Sequence, residues 1–398
     1  MSEESQHAQH TTPSPTGEGW GEGSRLFLSE WQNSSDRLLV HTSGSTGKPK
    51  AMWVEKERML NSARMTCDAL DLKPGDTALL CMPLDFIAGK MMVVRSIERQ
   101  LRLISVTPSN HPLATLAMPA DGITFAAMVP SQVFCTLQVP AEREKLRHIR
   151  HLIIGGGAIS AELQQELDTF YAECNPNAKH SSECNPNAKD SSGDRLAATP
   201  RGGLGRGFFF STYGMTETLS HIALRTLTGP EATEWYTPFA GITLSLSADN
   251  CLIIDAPQLH DGPLITNDIA ELRSDGRFRI IGRKDNVICS GGIKLHIEEI
   301  EAKLQPHIRQ PFCITKRSDE KFGEVAVMLI EDNELEGCGV PDNIPGKECP
   351  LTSPDWSAFG LSRYEFPKAI IPVCSIPMTA TGKIDRHTAQ TLATTYTI

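Results

Sequence analysis

Several features are missing from this 398-residue chain, and each absence argues against a class of protein. No run of about 18 apolar residues occurs, so we expect no transmembrane helix, and the polar start MSEESQHAQH lacks a signal-peptide core. The formal net charge of −10 argues against a nucleic acid or an anionic membrane as the main partner. The eleven cysteines form no C-x-x-C pair and no Cys/His cluster with zinc spacing. We therefore expect reduced thiols in a cytoplasmic protein.

A Walker A loop is missing as well, although one stretch is rich in phosphate donors. Residues 41–50 read HTSGSTGKPK, and Pro49 stands where a Walker A loop has Ser or Thr. The apolar run at 38–40 predicts a short buried strand, after which backbone N–H groups, hydroxyls and ammonium groups would follow. We interpret the stretch as a phosphate-binding loop of another kind. The alternative is a polar turn without a ligand.

The length of the chain predicts two domains, since one hydrophobic core rarely grows so large. Residues 1–25 include a stretch rich in Pro, Gly and Glu and are predicted to be a disordered lead-in. Over residues 26–282, apolar strand candidates alternate with amphipathic helix candidates, which is typical of an α/β sheet domain. The strand candidates are 77–82, 102–107, 122–129 and 151–154, and the helix candidates are 56–70 and 161–171. Residues 283–398 are left for a smaller C-terminal domain.

One segment of the larger domain does not fit an α/β pattern. Residues 173–182 and 183–192 match at nine of ten positions and consist of polar, turn-forming residues. Because the duplication has no apolar face to bury, it is not a solenoid repeat. With the Gly-rich stretch after it, it predicts a mobile surface insertion over residues 173–206. A second polar stretch at 331–356 interrupts the C-terminal third in the same way.

Other motifs follow predicted strands and carry groups that suit a nucleotide. IIGGGA at 153–158 would let a flat ring lie close to the backbone, although a plain glycine turn explains it as well. FFFSTYGMTET at 208–218 supplies Glu217, which could ligate Mg²⁺ with nucleotide phosphates, and Thr216, which could bond a phosphate oxygen. Asp268 in LITNDIAEL suits a pair of ribose hydroxyls. GRKD at 282–285 predicts a charged turn between two strands, and Lys383 lies in a Gly-flanked turn.

In this order and wording the motifs resemble the adenylate-forming superfamily of acyl- and aryl-CoA ligases, luciferases and peptide-synthetase adenylation domains. TSGSTGKPK, YGMTET, the Asp of TND, GRKD and TATGK span residues 42–383, nearly the whole predicted ordered chain. The resemblance implies a large N-terminal α/β domain with the adenylate site and a small α+β C-terminal domain on a hinge. It implies two steps, in which a carboxylate attacks the α-phosphate of ATP and coenzyme A then displaces AMP.

The resemblance also implies a role for each residue of the motifs. The leaving phosphates would be held by Thr42, Ser43, Gly44, Ser45, Thr46, Gly47 and Lys48. The nucleoside would be bound by Gly156, Gly157, Ala158, Tyr213, Gly214, Met215, Asp268 and Arg283. Thr216 would contact the α-phosphate, Glu217 would bind Mg²⁺, and Lys383 would bridge carboxylate and phosphate in the first step. Asp285 would be the hinge, and coenzyme A would meet Ser290, Gly291 and Gly292.

The chain departs from the superfamily at its start and near the expected acid pocket. Only 41 residues precede Thr42, so we expect the first N-terminal subdomain to be largely absent. Phe86 could take an aromatic gating role, but no His stands beside it. Compactness, with the wording MPLDFIAGKMM and YGMTETLSHIALR, resembles most the short o-succinylbenzoate–CoA ligases of menaquinone synthesis. That acid has a second carboxylate, for which the candidate partners are Lys90, Arg95, His221 and Arg225.

Three functions remain open from the sequence. The first is an ATP-, Mg²⁺- and CoA-dependent ligase acting on a small carboxylic acid, either o-succinylbenzoate or another aryl or acyl acid. The second is a stand-alone adenylation enzyme that passes its product to a separate thiol carrier. The third is a degenerate adenylate-binding module without turnover. Each acid-pocket candidate could also be structural, as a buried hydrogen-bonded His or a solvated Arg. The oligomeric state stays open.

Overall fold

We describe the fold from a computed structural model. The structure describes residues 22–41, 51–176, 208–332, 355–379 and 383–396. The proposed phosphate loop at 42–50, nearly all of the predicted insertion and most of the second polar stretch therefore lie outside the described residues, as does most of the predicted lead-in. The first helix begins at Glu22, four residues before the predicted start of order at 26.

Helices and strands alternate through the first half of the chain, and strands dominate the second. The α-helices are α1 (Glu22–Gln32), α2 (Lys56–Ala69), α3 (Ile87–Arg99), α4 (Pro130–Gln138), α5 (Pro140–Leu146), α6 (Ala161–Cys174), α7 (Ile297–Leu304) and α8 (Arg386–Thr395). The strands are β1 (Arg37–His41), β2 (Ala51–Glu55), β3 (Thr77–Leu80), β4 (Arg102–Ser105), β5 (Ile123–Met128), β6 (Ile149–Ile154), β7 (Phe208–Gly214), β8 (His221–Thr226), β9 (Thr237–Pro238), β10 (Thr243–Leu246), β11 (Cys251–Asp255), β12 (Leu264–Leu272), β13 (Phe278–Arg283), β14 (Val287–Ser290), β15 (Ile293–His296), β16 (Phe312–Asp319), β17 (Gly323–Glu331) and β18 (Ile370–Val373). Short 3-10 helices span Lys284–Asn286 and Trp356–Phe359.

The largest sheet has seven strands in the order β4-β3-β5-β6-β7-β8-β9. The first five are parallel, and β8 and β9 add antiparallel strands at one side. Its strands are apolar on both faces because helices cover both. Phe125 of β5 packs with residues of α2 and α3, whereas its neighbour Ala126 packs with residues of α4 and α6. The predicted α/β sheet domain is thus confirmed.

A four-stranded antiparallel sheet, β10 to β13, packs beside the large sheet. The join is made by Tyr236 and Phe278, which exchange backbone hydrogen bonds with N···O distances of 2.7 and 3.1 Å. The ring of Phe278 is fully buried against Tyr213 and Tyr236, with ring centroids 5.1 and 5.5 Å away. In this sheet the register places Asp268 of β12 opposite Arg283 of β13.

The C-terminal part has a separate sheet, in the order β15-β14-β17-β16, with β18 parallel to β17. Alternate residues of β17 face two cores: Met328 packs with Ile300 of α7, and Val327 packs with Ala389 of α8. This small α+β unit and the large α/β unit agree with the predicted fold class. Within the described residues no helix is long and apolar enough to span a membrane.

Phe278 should be the side chain on which the join of the two N-terminal sheets depends. We expect Phe278→Ala to lower the free energy of unfolding by about 3–5 kcal/mol, because a large cavity would open between Tyr213 and Tyr236. Phe134 of α4 is 39% exposed and provides the matched control. Phe134→Ala should cost about 1 kcal/mol or less. Urea unfolding of both variants measures the difference, and equal losses would contradict the assignment.

Candidate functional site

Two glycine turns lie side by side at the carboxyl ends of the parallel strands β6 and β7. The first contains Gly156, with φ at +82°, and exposes Gly157 and Ala158. The second contains Gly214, where a Cβ would lie 2.3 Å from the Ser220 carbonyl oxygen, so only glycine permits this approach. Ligands of parallel α/β sheets bind beyond the carboxyl ends of the strands. The two sequence motifs therefore meet at the edge where a nucleotide would be expected.

Tyr213 and Arg283 both bond the carboxylate of Asp268. The Tyr213 hydroxyl donates to Oδ2 at 2.7 Å, and the Arg283 guanidinium reaches Oδ1 at 3.2 Å. Burial and the Asp268 charge together raise the pKa of Tyr213, so its hydroxyl stays protonated and donates. The pairing of β12 with β13 shifts register next to Asp268, and the pairing of β7 with β8 shifts register at Tyr213. Such irregularities often change the direction of side chains near active sites.

Lys383 lies near the same carboxylate, although it comes from the C-terminal unit. Its carbonyl accepts from Thr379 N at 2.7 Å, and the neighbouring Ile384 forms a bridge with Met378, so Lys383 stands on one arm of a hairpin. Burial and the Arg283 charge lower the pKa of Lys383, whereas the Asp268 charge raises it. Three residues from three distant motifs thus share one electrostatic environment.

Residues 215–219 form a compact turn that follows β7. Met215 N donates to Thr218 Oγ1 at 3.0 Å, and Leu219 N donates to Thr216 O at 2.9 Å. Thr216 is buried, and the half-buried Glu217 forms no ion pair with any residue that the structure describes. A lone carboxylate fits Mg²⁺, which usually takes one or two carboxylates plus phosphate oxygens and water. The described residues contain no group of three acidic, His or Cys ligands.

The proposed phosphate loop lies outside the described residues, but its two ends are anchored. His41 ends β1 and pairs with Ala51, which begins β2. The nine residues between them, which include all seven predicted phosphate ligands, therefore connect two paired antiparallel strands. Lys90 Nζ also donates to the Leu39 carbonyl at 3.1 Å and ties α3 to this strand pair. That bond gives Lys90 a structural contact already.

Arg95 and His221 form a buried pair between α3 and β8. Arg95 is 2% exposed and donates to Ser220 Oγ at 2.6 Å, and no carboxylate of the described chain forms an ion pair with it. Its Nε is buried without a hydrogen-bond partner, and burial lowers the pKa of the guanidinium to about 10, so it is charged at neutral pH. A buried charge without a counter-ion is costly, which marks Arg95 as an unusual position.

His221 is less suited to meeting a second carboxylate than the sequence suggests. Thr66 Oγ1 lies 3.1 Å from its Nε2, and Ser220 Oγ lies 3.2 Å from its Nδ1. Burial and the Arg95 charge hold the pKa of His221 well below its usual value, so the ring is neutral near pH 7. Both ring nitrogens are already within hydrogen-bonding distance of protein groups. Through Nδ1 the ring can help to hold Ser220 and Arg95 in place.

The two other acid-pocket candidates are more open. Phe86 is exposed at the N-cap of α3, and its gating role stays a prediction. Arg225 donates to the Thr233 carbonyl at 3.1 Å, and its guanidinium lies over the Tyr236 ring at 5.5 Å. The Tyr236 hydroxyl lies 2.9 Å from Ser211 Oγ, within hydrogen-bonding distance. Sequence reasoning missed Tyr236, Phe278, Ser220 and Thr66, since an isolated aromatic or hydroxyl residue has no signal in one sequence.

The predicted hinge follows β13. Asp285 accepts from Arg283 at 3.2 Å and from Asn267 at 3.3 Å, and Lys284 pairs with Asp249 at 2.6 Å. These contacts are half exposed and therefore individually weak. Of the residues predicted to face coenzyme A, Ser290 is buried, whereas Gly291 and Gly292 are exposed with φ of +57° and +84°.

Comparison with known proteins identifies the family. The family model described as AMP-binding enzyme matches residues 4–178. A solved acyl-CoA synthetase (AMP-forming)/AMP-acid ligase II-like protein from Dyadobacter fermentans is 30% identical, with 92% of this chain and 93% of that chain covered and a TM-score of 0.54. The chain therefore belongs to the family of AMP-binding, adenylate-forming enzymes.

More distant relatives include named ligases. A 2-succinylbenzoate–CoA ligase of Bacillus cytotoxicus is 21% identical over 92% of this chain and 72% of its own length. The solved o-succinylbenzoate coenzyme A synthetase from Bacillus subtilis, in complex with ATP and magnesium, is 18% identical, with a TM-score of 0.61 over 88% of this chain and 68% of that chain. At 18% identity the likeness to this solved structure shows that the two proteins share a fold.

The charges around Lys383 predict opposite shifts of its pKa in two variants. Arg283→Gln removes a cation that lowers this pKa, so the pKa should rise; Asp268→Asn removes the anion that raises it, so the pKa should fall. Acetic anhydride labels only neutral amines, and mass spectrometry follows labelling of the Lys383 peptide against pH. The labelling curve should move to higher pH in the first variant and to lower pH in the second, with exposed Lys321 as the internal reference. Coincident curves would contradict the shared environment.

Proposed function

We propose that this protein is an ATP-dependent, AMP-forming acid–CoA ligase. The observation that carries the proposal is that the bonded pair of Asp268 and Arg283, on the sheet that flanks the glycine turns, acts electrostatically on Lys383. An adenylate-forming site needs a cation that can approach the α-phosphate and a carboxylate for the ribose hydroxyls. Lys383 and Asp268 supply both, and the family membership supports the same reading.

In the first step a carboxylate oxygen bonds to the α-phosphorus of ATP, and the bond to the β-phosphate breaks to release pyrophosphate. Two anionic groups must approach each other, so a cation at the point of contact lowers the barrier. We assign this task to Lys383. Asp268 binds the ribose, while Tyr213 and Arg283 fix the orientation of its carboxylate. The residues of the loop at 42–48 hold the leaving phosphates.

Magnesium fits the site at Glu217, whose carboxylate forms no ion pair in the described chain. Mg²⁺ bound there would neutralise charge on the phosphate oxygens. Thr216 lies in the same turn after β7 and would contact the α-phosphate. Gly156, Gly157, Ala158, Gly214 and Met215 would form the walls around the adenine, where small residues permit a close approach of the ring.

In the second step the sulfur of coenzyme A attacks the acyl carbon, and AMP leaves with the bonding electrons. We propose that the C-terminal domain, residues 283–398, rotates about Asp285 between the steps and brings residues 290–292 to the thiol. Glycines with positive φ at 291 and 292 allow the backbone to lie near a narrow thiol arm. The larger domain would then be residues 26–282.

We propose 2-succinylbenzoate as the acid, as in the named relatives. The charge of Arg95 supports an acid with two carboxylates, because the described chain offers this buried guanidinium no counter-ion. A second carboxylate arriving beside Ser220 would satisfy it. Lys90, by contrast, already donates to a backbone carbonyl, and His221 is neutral. The partners of the reaction would be the small-molecule acid, ATP and coenzyme A, with Mg²⁺ as the metal cofactor.

Release of pyrophosphate from ATP across a panel of carboxylic acids, with and without coenzyme A, tests the proposal. We expect release with 2-succinylbenzoate and formation of its thioester only when coenzyme A is present. Adenylate that accumulates and is not transferred to coenzyme A would favour an adenylation enzyme serving a separate carrier. Binding of ATP without pyrophosphate release for any acid would overturn the ligase.

Lys383 should serve the first step and not the second. Lys383→Ala should slow adenylate formation by two to four orders of magnitude, about 3–5 kcal/mol of transition-state stabilisation. The same variant, supplied with preformed acyl-adenylate and coenzyme A, should form thioester near the parent rate. Single-turnover assays of both half-reactions measure this. A loss of equal size in both would mean that Lys383 holds the fold or the nucleotide.

Arg95 should determine the preference for a dicarboxylate. Arg95→Lys keeps a positive charge but loses the planar fork, so the specificity ratio of 2-succinylbenzoate over benzoate should fall about tenfold to a hundredfold. Arg225→Lys is the matched control, because Arg225 is tied to the Thr233 carbonyl. Its ratio should stay within about threefold of the parent if the second carboxylate binds Arg95 and not Arg225. The reverse pattern would move the second carboxylate to Arg225.

A further inference from the structure

Arg386 is the first residue of α8, where a positive charge is unfavourable because the helix N-terminus is itself partly positive. Its guanidinium is held there by Glu301 of α7, with N···O distances of 2.6 and 2.7 Å from both nitrogens to both oxygens. The pair is largely buried, with side-chain exposures of 26% and 16%. A two-pronged, desolvated pair of this kind fixes direction as well as distance.

The same two side chains also hold the backbone of β16. Ile314 N donates to Glu301 Oε1 at 2.7 Å, and Arg386 donates to the Ile314 carbonyl at 2.9 Å. Four hydrogen bonds therefore form a closed set that joins α7, β16 and the start of α8. The start of α8 has little freedom to slide or rotate while this set is intact.

Lys383 lies three residues before Arg386. Asp385 lies between them, caps α8 by accepting from Thr388 N at 3.1 Å, and donates through its own N to the Pro377 carbonyl at 2.8 Å. The backbone of Lys383 accepts from Thr379 N. Its position is thus determined from two sides, by the hairpin with residues 377–379 and by the anchored start of α8.

We propose that Glu301 and Arg386 are positioning residues for Lys383, and that they set its approach to the α-phosphate in adenylate formation. The inference rests on the proposed ligase function. A misplacement of about 1 Å can cost a reaction about a hundredfold, so the anchor would matter for catalysis even where the domain stays folded. Because the second half-reaction does not use Lys383, the anchor should affect the first half-reaction alone.

A second ion pair in the same unit provides a matched control. Lys303 of α7 donates to Glu365 at 2.6 Å, and Glu365 also accepts from Ser362 N at 2.7 Å. Like Glu301, Glu365 is mostly buried and holds both a cation and a backbone N–H. It has no contact with the hairpin that carries Lys383 among the described residues. Glu365→Gln therefore reports the cost of losing a structural pair.

The experiment compares Glu301→Gln, Arg386→Lys and Glu365→Gln with the parent in both half-reactions and in thermal unfolding. We expect Glu301→Gln and Arg386→Lys to slow adenylate formation about tenfold to a hundredfold and to keep thioester formation from preformed adenylate within about threefold. Glu365→Gln should keep adenylate formation within about threefold of the parent at a similar loss of melting temperature. Equal slowing by all three variants, or of both half-reactions, would overturn the inference.

Labelling of Lys383 with acetic anhydride gives a readout that does not depend on activity. The amine is partly buried beside Asp268 and Arg283, so its release should increase the labelling rate severalfold in Glu301→Gln and Arg386→Lys but not in Glu365→Gln. If the parent releases no pyrophosphate with any acid, the proposed function fails, whereas this labelling contrast still tests the anchor. Unchanged labelling in all three variants would overturn the anchor even in an active enzyme.

Discussion

The carboxylate of Asp268 is the point on which the arrangement of the site depends. It accepts from Tyr213 and Arg283, and it offsets part of the pKa depression that burial and Arg283 impose on Lys383. One anion thereby bonds two residues of its own unit and acts electrostatically on a lysine of the C-terminal unit. Like charges crowded at a partly buried site would separate without it. Two cations and one anion leave a net positive charge among these three residues.

The molecule contains two kinds of buried charge: charges that are paired within the protein and a charge that has no counter-ion among the described residues. The first kind is structural, and the second supports a role in substrate binding. Glu301 and Arg386 satisfy each other and the backbone of Ile314, so their pair closes on itself. Arg95 has hydroxyl, ring and thioether neighbours but no carboxylate within the described chain. An ion pair that is already satisfied gains no stabilisation from a ligand, whereas a buried charge without a counter-ion is stabilised by an anionic ligand. This contrast supports Arg95, and not the closed pair, as the partner of a substrate carboxylate.

Much of the fold could be predicted because its signals are local. The apolar runs at 77–82, 122–129 and 151–154 become strands β3, β5 and β6 with ends shifted by one or two residues. Continuous apolar runs are what a sheet covered on both faces requires. Asp268 was predicted as a ribose ligand from its chemistry, whereas Tyr213, Arg283 and Lys383 received their site roles through a family resemblance. The distances between these residues could not be predicted, since no pattern in a single sequence shows which strands become neighbours.

Local patterns in the sequence were enough to predict four strands and two helices of the larger domain, the order of the motifs and the family, because periodicity and turn chemistry act over a few residues. The partners of each polar side chain, by contrast, depend on how the elements pack together. His221 was a candidate for the acid pocket, yet folding buries it between Thr66 and Ser220 and makes it neutral. Lys90 was another, and folding ties it to the Leu39 carbonyl. Charge state and partner depend on burial and on residues far apart in the chain, and these exist only after the sheets have packed.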